Sequence, residues 1–200
     1  MLIGAIVVIT LLIIGATLLL LWPLIAKKID CKRFLLAMGK RTYAIARDSD
    51  FYLLNKVTIP IDDGKEVHFD HIIFGDKYIY VIGDAYYPGP LSGKYRDQQW
   101  FLYNENIHFT HIKNPLTLHH TRLNYLSLET TAAMELFVGI FVVNDSCFLD
   151  NIPGIPQNEF ICNESDLKNI IARKEKEDVS IINPISLNNL VHNINNLSKK

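Results

Sequence analysis

The sequence predicts an α/β fold with a mixed central sheet flanked by helices, preceded by a single N-terminal transmembrane helix. Three observations carry this prediction. The chain begins with an uncharged segment, strand-like runs alternate with helical patterns, and residues 137–143 form a continuous apolar run typical of a central strand. A length of 200 residues allows one domain of ordinary size and a small appendage.

Residues 2–26 contain no charged side chain. As a helix rising 1.5 Å per residue, this run is long enough to cross a bilayer core of about 30 Å. A cleaved signal peptide would need a basic start and a small-x-small cleavage site. The run has neither feature and ends directly at Lys27, so it predicts an uncleaved transmembrane helix held in the lipid bilayer.

The charges beyond this run predict its orientation. Seven basic residues and one acidic residue lie between Lys27 and Arg47. Because basic residues beside a span stay on the cytoplasmic side, we expect a single-pass protein of the cell membrane, with its N-terminus outside and its C-terminal domain in the cytoplasm. Of 20 basic and 21 acidic residues in total, 13 and 20 remain from Asp48 onward. This acidic body disfavours unspecific binding of nucleic acid.

Hydrophobic periodicity and turn residues give the order of the remaining elements. The predicted strands are 52–60, 66–74, 78–82, 99–103, 107–111, 137–143 and 160–162. Turns are predicted at 62–65 and 75–77, and the second, tight turn predicts a hairpin of the strands 66–74 and 78–82. The predicted helices are 31–46, one that begins at Asn114, 165–176 and 186–197. The predicted divisions of the chain are a transmembrane helix at 2–26, a basic juxtamembrane segment at 27–37, a globular domain at 38–162 and a C-terminal helical segment at 163–200.

Several short motifs follow one another in this region. They are Tyr52–Val57, Phe69-Asp70-His71-Ile72-Ile73, Tyr78–Ile82, the loop Tyr87–Gly93 with Trp100, and Asn114-Pro115-Leu116. In this order, from about Gly39 to His120, the chain resembles the nuclease-related domain (NERD) family, a branch of the PD-(D/E)XK nuclease-like fold. The resemblance implies a restriction-endonuclease-like sheet and a fold that supports metal-dependent hydrolysis of phosphodiesters.

The resemblance also implies where the catalytic residues would lie. The family's helix acid, Asp, Glu, Lys and Gln fall on Lys40, Asp70, Gly83, Ala85 and Leu118, so only Asp70 keeps the family's residue. Hydrolysis needs a cation held by carboxylates, which activates a water, and a lysine that offsets the developing charge. We therefore expect an inactive NERD domain, used for binding or scaffolding, with no cofactor.

Alternatives remain open at this point. Asp84 follows Gly83, and in a regular strand the two side chains point to opposite faces unless a bulge intervenes. A working nuclease on DNA or RNA would use Mg²⁺ and take its lysine from Lys94 or Lys113. A softer metal such as Zn²⁺ would use His68 and Asp70, which share a strand face, with His119 or His120.

A third alternative is that the protein is a structural partner in a membrane assembly. Exposed aromatic residues near the cleft would mark a contact surface for a protein partner; the candidates are Tyr86, Tyr87, Trp100, Phe101 and Tyr103.

Overall fold

The computed structural model describes residues 2–61, 64–103, 108–149 and 152–198, without the side chains of 2–9 and 11–13. The strands are β1 (Tyr52–Ile61), β2 (Lys65–Phe74), β3 (Ile79–Ala85), β4 (Leu91–Ser92), β5 (Gln99–Tyr103), β6 (Phe109–Lys113), β7 (Phe137–Val143) and β8 (Glu159–Asn163). The α-helices are α1 (Leu2–Ser49), α2 (Pro115–Thr130), α3 (Leu167–Lys174) and α4 (Pro184–Leu197).

The main sheet has five strands in the order β1-β2-β3-β7-β8. β1, β2 and β3 pair antiparallel, and β7 lies parallel to both β3 and β8. All seven residues of β7 are buried, as its continuous apolar sequence predicts. The predicted mixed sheet flanked by helices is therefore confirmed.

Helices cover both faces of this sheet. On one face, α1 contributes Phe34 and Met38 and α3 contributes Ile170 and Ile171 to a core against the inner strands. On the other face, leucine and isoleucine side chains of α2 and α4 pack into a second core; these are Leu123, Leu126, Leu187 and Ile194. The two C-terminal helices are thus part of the packed structure.

A small second sheet stands beside the main one. It consists of β4, β5 and β6 in antiparallel order. Leu91 and Trp100 are fully buried beneath it, in a third core that also receives Leu116 from α2 and Phe141 from β7. This core fixes the small sheet against the start of α2.

Several predicted bounds differ from the observed ones. The helix predicted at 31–46 is part of one continuous helix, α1, which runs through Pro23. β3 extends to Ala85, three residues beyond its predicted end. The strand predicted at 107–111 begins at Phe109 and ends at Lys113. Residues 62, 63 and 107, which belong to a predicted turn and a predicted strand, lie outside the described residues.

The predicted transmembrane helix at 2–26 is not confirmed. In the part of the chain for which the structure gives side chains, no helix is long and apolar enough to cross a membrane. The predicted run falls partly on residues 2–9 and 11–13, whose side chains lie outside the described part. The proposed division of the chain at residues 26, 37 and 162 stays a prediction.

Candidate functional site

Two carboxylates mark the candidate site. Asp70 on β2 and Asp84 near the end of β3 both line a cleft of about 750 Å³. Its walls come from the first turns of α2 and from the ends of β5 and β6. Both carboxylates also line a cavity of about 590 Å³ on the opposite side, against α1 and β1. The pair therefore lies where two cavities meet at the edge of the sheet.

A backbone distortion places Asp70 there. Asn55 pairs with His71 and Val57 pairs with Phe69, and Lys56 between them has a left-handed backbone with φ of 51°. On β2, both Phe69 and Ile72 face the core beneath α2, so the alternation of side chains shifts by one residue at Asp70. This shift lets Asp70 face the cleft.

The charge of Asp70 is only partly balanced. Arg122 on α2 holds its Nη1 atom 3.9 Å from Asp70 Oδ2. Burial and the nearby charge of Asp84 raise the pKa of the Asp70 carboxyl, while Arg122 opposes them. Arg122 thus places a cation beside the one retained family carboxylate, within the cleft wall.

Asp84 is engaged on the α1 side of the sheet. The Nε2–H of His71 donates to Asp84 Oδ2 at 3.2 Å, and both side chains are buried. The other ring nitrogen of His71 lies 2.6 Å from Asn55 Oδ1 and 3.4 Å from Thr42 Oγ1. The Asp84 side chain thus contacts His71, whereas the space beside Gly83 is taken by another residue. Asp84 also lines the cleft beside Asp70, which strand alternation alone did not predict.

His119 occupies the space beside Gly83. A Cβ added to Gly83 would lie 3.1 Å from His119 Nδ1 and 3.2 Å from Phe141 Cδ2. The Nε2–H of His119 donates to the carbonyl oxygen of Val81 at 3.1 Å, whereas its Nδ1 has no hydrogen-bond partner among the described residues. Burial lowers the pKa of His119 to about 4, so the ring is neutral at physiological pH. A side chain at residue 83 would therefore require this ring or Phe141 to shift by a few tenths of an ångström.

The other positions that the resemblance implies carry no metal-binding oxygen in their side chains. Ala85 and Leu118 line the cleft, and Leu118 is 57% exposed. Lys40 lines the second cavity on α1, where the family has an acid. Asp70 is therefore the one residue of the implied set that could ligate a cation, and its catalytic role stays a prediction.

The structure separates the residues of the zinc alternative. His68 lies 2.9 Å from Thr58 Oγ1, and His120 Nδ1–H donates to Glu159 Oε1 at 2.6 Å. His119 is turned toward Val81. Among the described residues, no group of three or more histidine, cysteine, aspartate or glutamate side chains could hold a metal.

Two lysines were candidates for a displaced catalytic lysine. Lys113, at the end of β6, lines the cleft. Lys94 lines neither of the two cavities at the carboxylates; its carbonyl oxygen accepts a hydrogen bond from Trp100 Nε1 at 2.9 Å. Sequence reasoning missed Arg122, although it lies four residues after Leu118 and therefore one turn farther along the same helix face.

The loop before β5 is held by residues of the family motifs. Trp100 packs directly over Gly93, and Asn114 Nδ2 donates to the carbonyl oxygens of Tyr95 and Asp97. Asn114 Oδ1 also accepts the first backbone N–H groups of α2, so one side chain joins the loop to the helix start. The predicted aromatic cluster does not form as one unit, because Trp100 is fully buried.

Comparisons with known proteins give one finding. A family model described as nuclease-related domain matches residues 38–143, more than half of the chain. The matched range begins within α1 and ends with β7, so it includes Asp70, Asp84 and Arg122. Comparisons with curated proteins and with solved structures each found no match.

Proposed function

The chain belongs to the nuclease-related domain family, and we propose that its domain binds or scaffolds a ligand without cleaving nucleic acid. The observation that carries this proposal is the His119 ring beside Gly83. A Cβ at residue 83 would lie 3.1 Å from this ring, so a glutamate there would require the ring to shift. The packing around residue 83 therefore favours the glycine that is present.

The remaining residues do not fit a magnesium site. Hard cations bind several carboxylate or carbonyl oxygens. In the cleft, Asp84 Oδ2 is already engaged by His71, and Arg122 approaches Asp70 with a positive charge. Gly83 and Ala85 supply neither a carboxylate nor a lysine. These contacts support a domain that has lost both the metal and the reaction.

The cleft itself supports a retained binding role. It keeps a volume of about 750 Å³, within the range of ligand sites. Lys113 and Arg122 stand on its walls, and the N-terminal end of α2 contributes Thr117.

We also propose that the N-terminal segment anchors this domain in the membrane. The uncharged run at 2–26 supports the anchor. So does the exposure of large apolar side chains on the described part of α1; these are Ile14, Leu18, Leu19, Leu20, Leu21, Trp22, Leu24 and Ile25. The seven basic residues between Lys27 and Arg47 support a cytoplasmic location for the domain.

The loss of activity is tested on the full-length chain purified in detergent. With Mg²⁺ or Mn²⁺ present, we expect no cleavage of labelled DNA or RNA and no metal-dependent rise in melting temperature. A bound metal at one hundred times its Kd would stabilise the folded state by about 2.7 kcal/mol, which a melting curve detects. Asp70→Ala should change neither result. Metal-dependent cleavage that Asp70→Ala abolishes would contradict the proposal and favour a nuclease with a rearranged site.

A restored variant provides the positive control. Gly83→Glu with Ala85→Lys returns the two missing family residues, but the new glutamate meets His119. We expect a metal-dependent rise in melting temperature only after His119→Ala is added to these two changes. The same metal response with and without His119→Ala would contradict the role assigned to His119.

A further inference from the structure

A row of aromatic rings lies on one face of the small sheet. Phe101 of β5 pairs with His111 of β6, and Tyr103 pairs with Phe109. Because cross-strand partners and residues two apart share a face, these four side chains lie together. The Phe101 ring centre is 5.1 Å from that of Phe109 and 5.0 Å from that of His111. We refer to these four residues as the aromatic strip.

The aromatic strip is not part of a core. Phe109 is 54% exposed and His111 is also exposed. The opposite face of the same strands supplies the packing, because Trp100, Leu102 and Ile112 belong to the third core. The hairpin is therefore held from one side, while on the other side Phe109 and His111 are exposed and Phe101 and Tyr103 are half-buried between them.

The aromatic strip leads into the cleft. The next cross-strand pair on the same face is Gln99 with Lys113, and both residues line the cleft. Arg122 stands on the cleft wall close to Asp70. The surface thus continues from the exposed rings of Phe109 and His111 to Lys113 in the cleft, which Asp70 and Asp84 also line.

We propose that the aromatic strip and the cleft mouth together bind single-stranded nucleic acid. This inference rests on the proposed function, in which the cleft binds without cleaving. Bases of an unpaired strand stack on exposed aromatic rings, and lysine and arginine side chains contact the phosphates. Here Phe109 offers an exposed ring beside the half-buried Phe101, and Lys113 offers the charge at the cleft.

The chemistry of the surface selects a single strand over a duplex. In a duplex the bases are already stacked on each other, so their faces are not available to Phe109. The carboxylates of Asp70 and Asp84 repel phosphate from the cleft floor, which leaves the backbone at the mouth near Lys113. Because few cations contribute and the body is acidic, the electrostatic part of the affinity should be small and the salt dependence shallow.

The test uses the full-length chain in detergent and fluorescein-labelled 12-nucleotide DNA and RNA strands at low salt. Fluorescence anisotropy should show binding of the single strands and at least tenfold weaker binding of the matched duplexes. Phe109→Ala should weaken binding about tenfold, as expected for the loss of one stacked base, and Phe109→Trp should restore it. Tyr52→Ala is the matched control, because Tyr52 is 51% exposed on the outer strand β1.

Lys113→Ala tests the phosphate contact separately. It should lower the slope of log K against log salt by about 0.7, the value for one phosphate on a single strand. The inference is overturned if single strands do not bind, if duplexes bind equally well, or if Phe109→Ala and Tyr52→Ala have the same effect. Failure to bind without any cleavage would leave the noncatalytic proposal standing. Binding accompanied by metal-dependent cleavage would support the aromatic strip and overturn the noncatalytic proposal.

Discussion

The His119 ring packs beside Gly83, the residue on which the resemblance places the family's glutamate. The ring comes from α2, whereas Gly83 belongs to β3 and faces Phe141 on the next strand. The glycine and the imidazole fit together, since an added Cβ would approach both neighbouring rings within 3.2 Å. We therefore expect a side chain at residue 83 to require a shift of the His119 ring.

The buried ring of His119 makes stability depend on pH. Its folded-state pKa of about 4 lies below the ordinary value of 6.5, so the unfolded chain binds more protons between these values. Stability contributed by the neutral ring is complete above pH 6.5 and is lost as the pH falls toward 4. A pKa difference of about 2.5 corresponds to about 3 kcal/mol.

We expect His119→Gln to remove this part of the pH dependence, because the glutamine amide does not titrate and can still donate to Val81. The measurement is the free energy of unfolding from urea titrations between pH 4 and 7. His192→Gln is the control, since His192 lies exposed on α4. A wild-type curve that runs parallel to that of His119→Gln across this range would contradict the prediction.

Sequence reasoning located Asp70 but could not locate its neighbours. The Phe69-Asp70-His71 motif placed Asp70 on the second predicted strand of the chain, and the structure agrees. The shift of alternation at Asp70 depends on a left-handed Lys56, which a period-two pattern does not encode. The approach of His119 to Gly83 depends on how α2 crosses the sheet, and no local pattern specifies that crossing.

At the scale of elements, the start of α2 is joined to the loop before β5. Asn114 caps the helix and donates to the loop carbonyls, and Trp100 donates to the carbonyl oxygen of Lys94. Gly93 lies under the Trp100 ring with no room for a side chain. These contacts hold the wall of the cleft in place, and they join two of the sequence motifs, the loop with Trp100 and the Asn114-Pro115 helix start.

Gly93→Ala should therefore destabilise the chain by about 1–3 kcal/mol, because an added methyl group overlaps a ring that is fully buried. Gly39→Ala provides the matched control. Gly39 lies within α1 with no atom within 4 Å of an added Cβ, so alanine should stabilise the helix by up to about 1 kcal/mol. Melting temperatures of the two variants give the comparison. Equal effects of the two substitutions would show that Trp100 can move away.

The main-sheet elements were the most predictable part of the fold. The Gly75-Asp76-Lys77 turn predicted the hairpin of β2 and β3, and the apolar run predicted β7 as a buried strand. The continuity of α1 was not predicted, because a basic, amphipathic stretch after an uncharged run reads as a separate helix. The core contacts of Phe34 and Met38 explain why the helix continues into the domain.

At the scale of the whole molecule, α1 connects the proposed anchor to the domain as one rod. Its 48 residues correspond to a length of about 72 Å. The last third packs on the sheet through Phe34, Met38 and Ile45, whereas the described apolar side chains from Ile14 to Ile25 are exposed. An exposed apolar surface of this extent on a soluble protein would promote aggregation, and a bilayer would cover it.

We therefore expect the protein to fractionate with membranes and to resist extraction by high salt or carbonate. Ile14→Arg with Leu18→Arg should weaken this retention, since each arginine near the centre of a span costs about 3 kcal/mol. Leu128→Arg is the matched control, because Leu128 is an exposed leucine on α2, far along the chain from the proposed anchor. Release of the unmodified protein by salt alone would mean that only the basic residues hold it at the membrane.

Protease digestion of intact cells tests the orientation of the domain. Protease added to intact cells should leave the region after Arg47 whole, because the basic residues that follow the uncharged run favour the cytoplasmic side. After the membrane is opened, the protease should reach the exposed loops of the domain.

Lys27→Glu with Lys28→Glu should weaken the preference for a cytoplasmic domain, because acidic residues do not replace basic ones in setting the orientation. Digestion of the domain from outside intact cells would reverse the assignment. It would also place the cleft and the aromatic strip on the side of the membrane away from cytoplasmic nucleic acid.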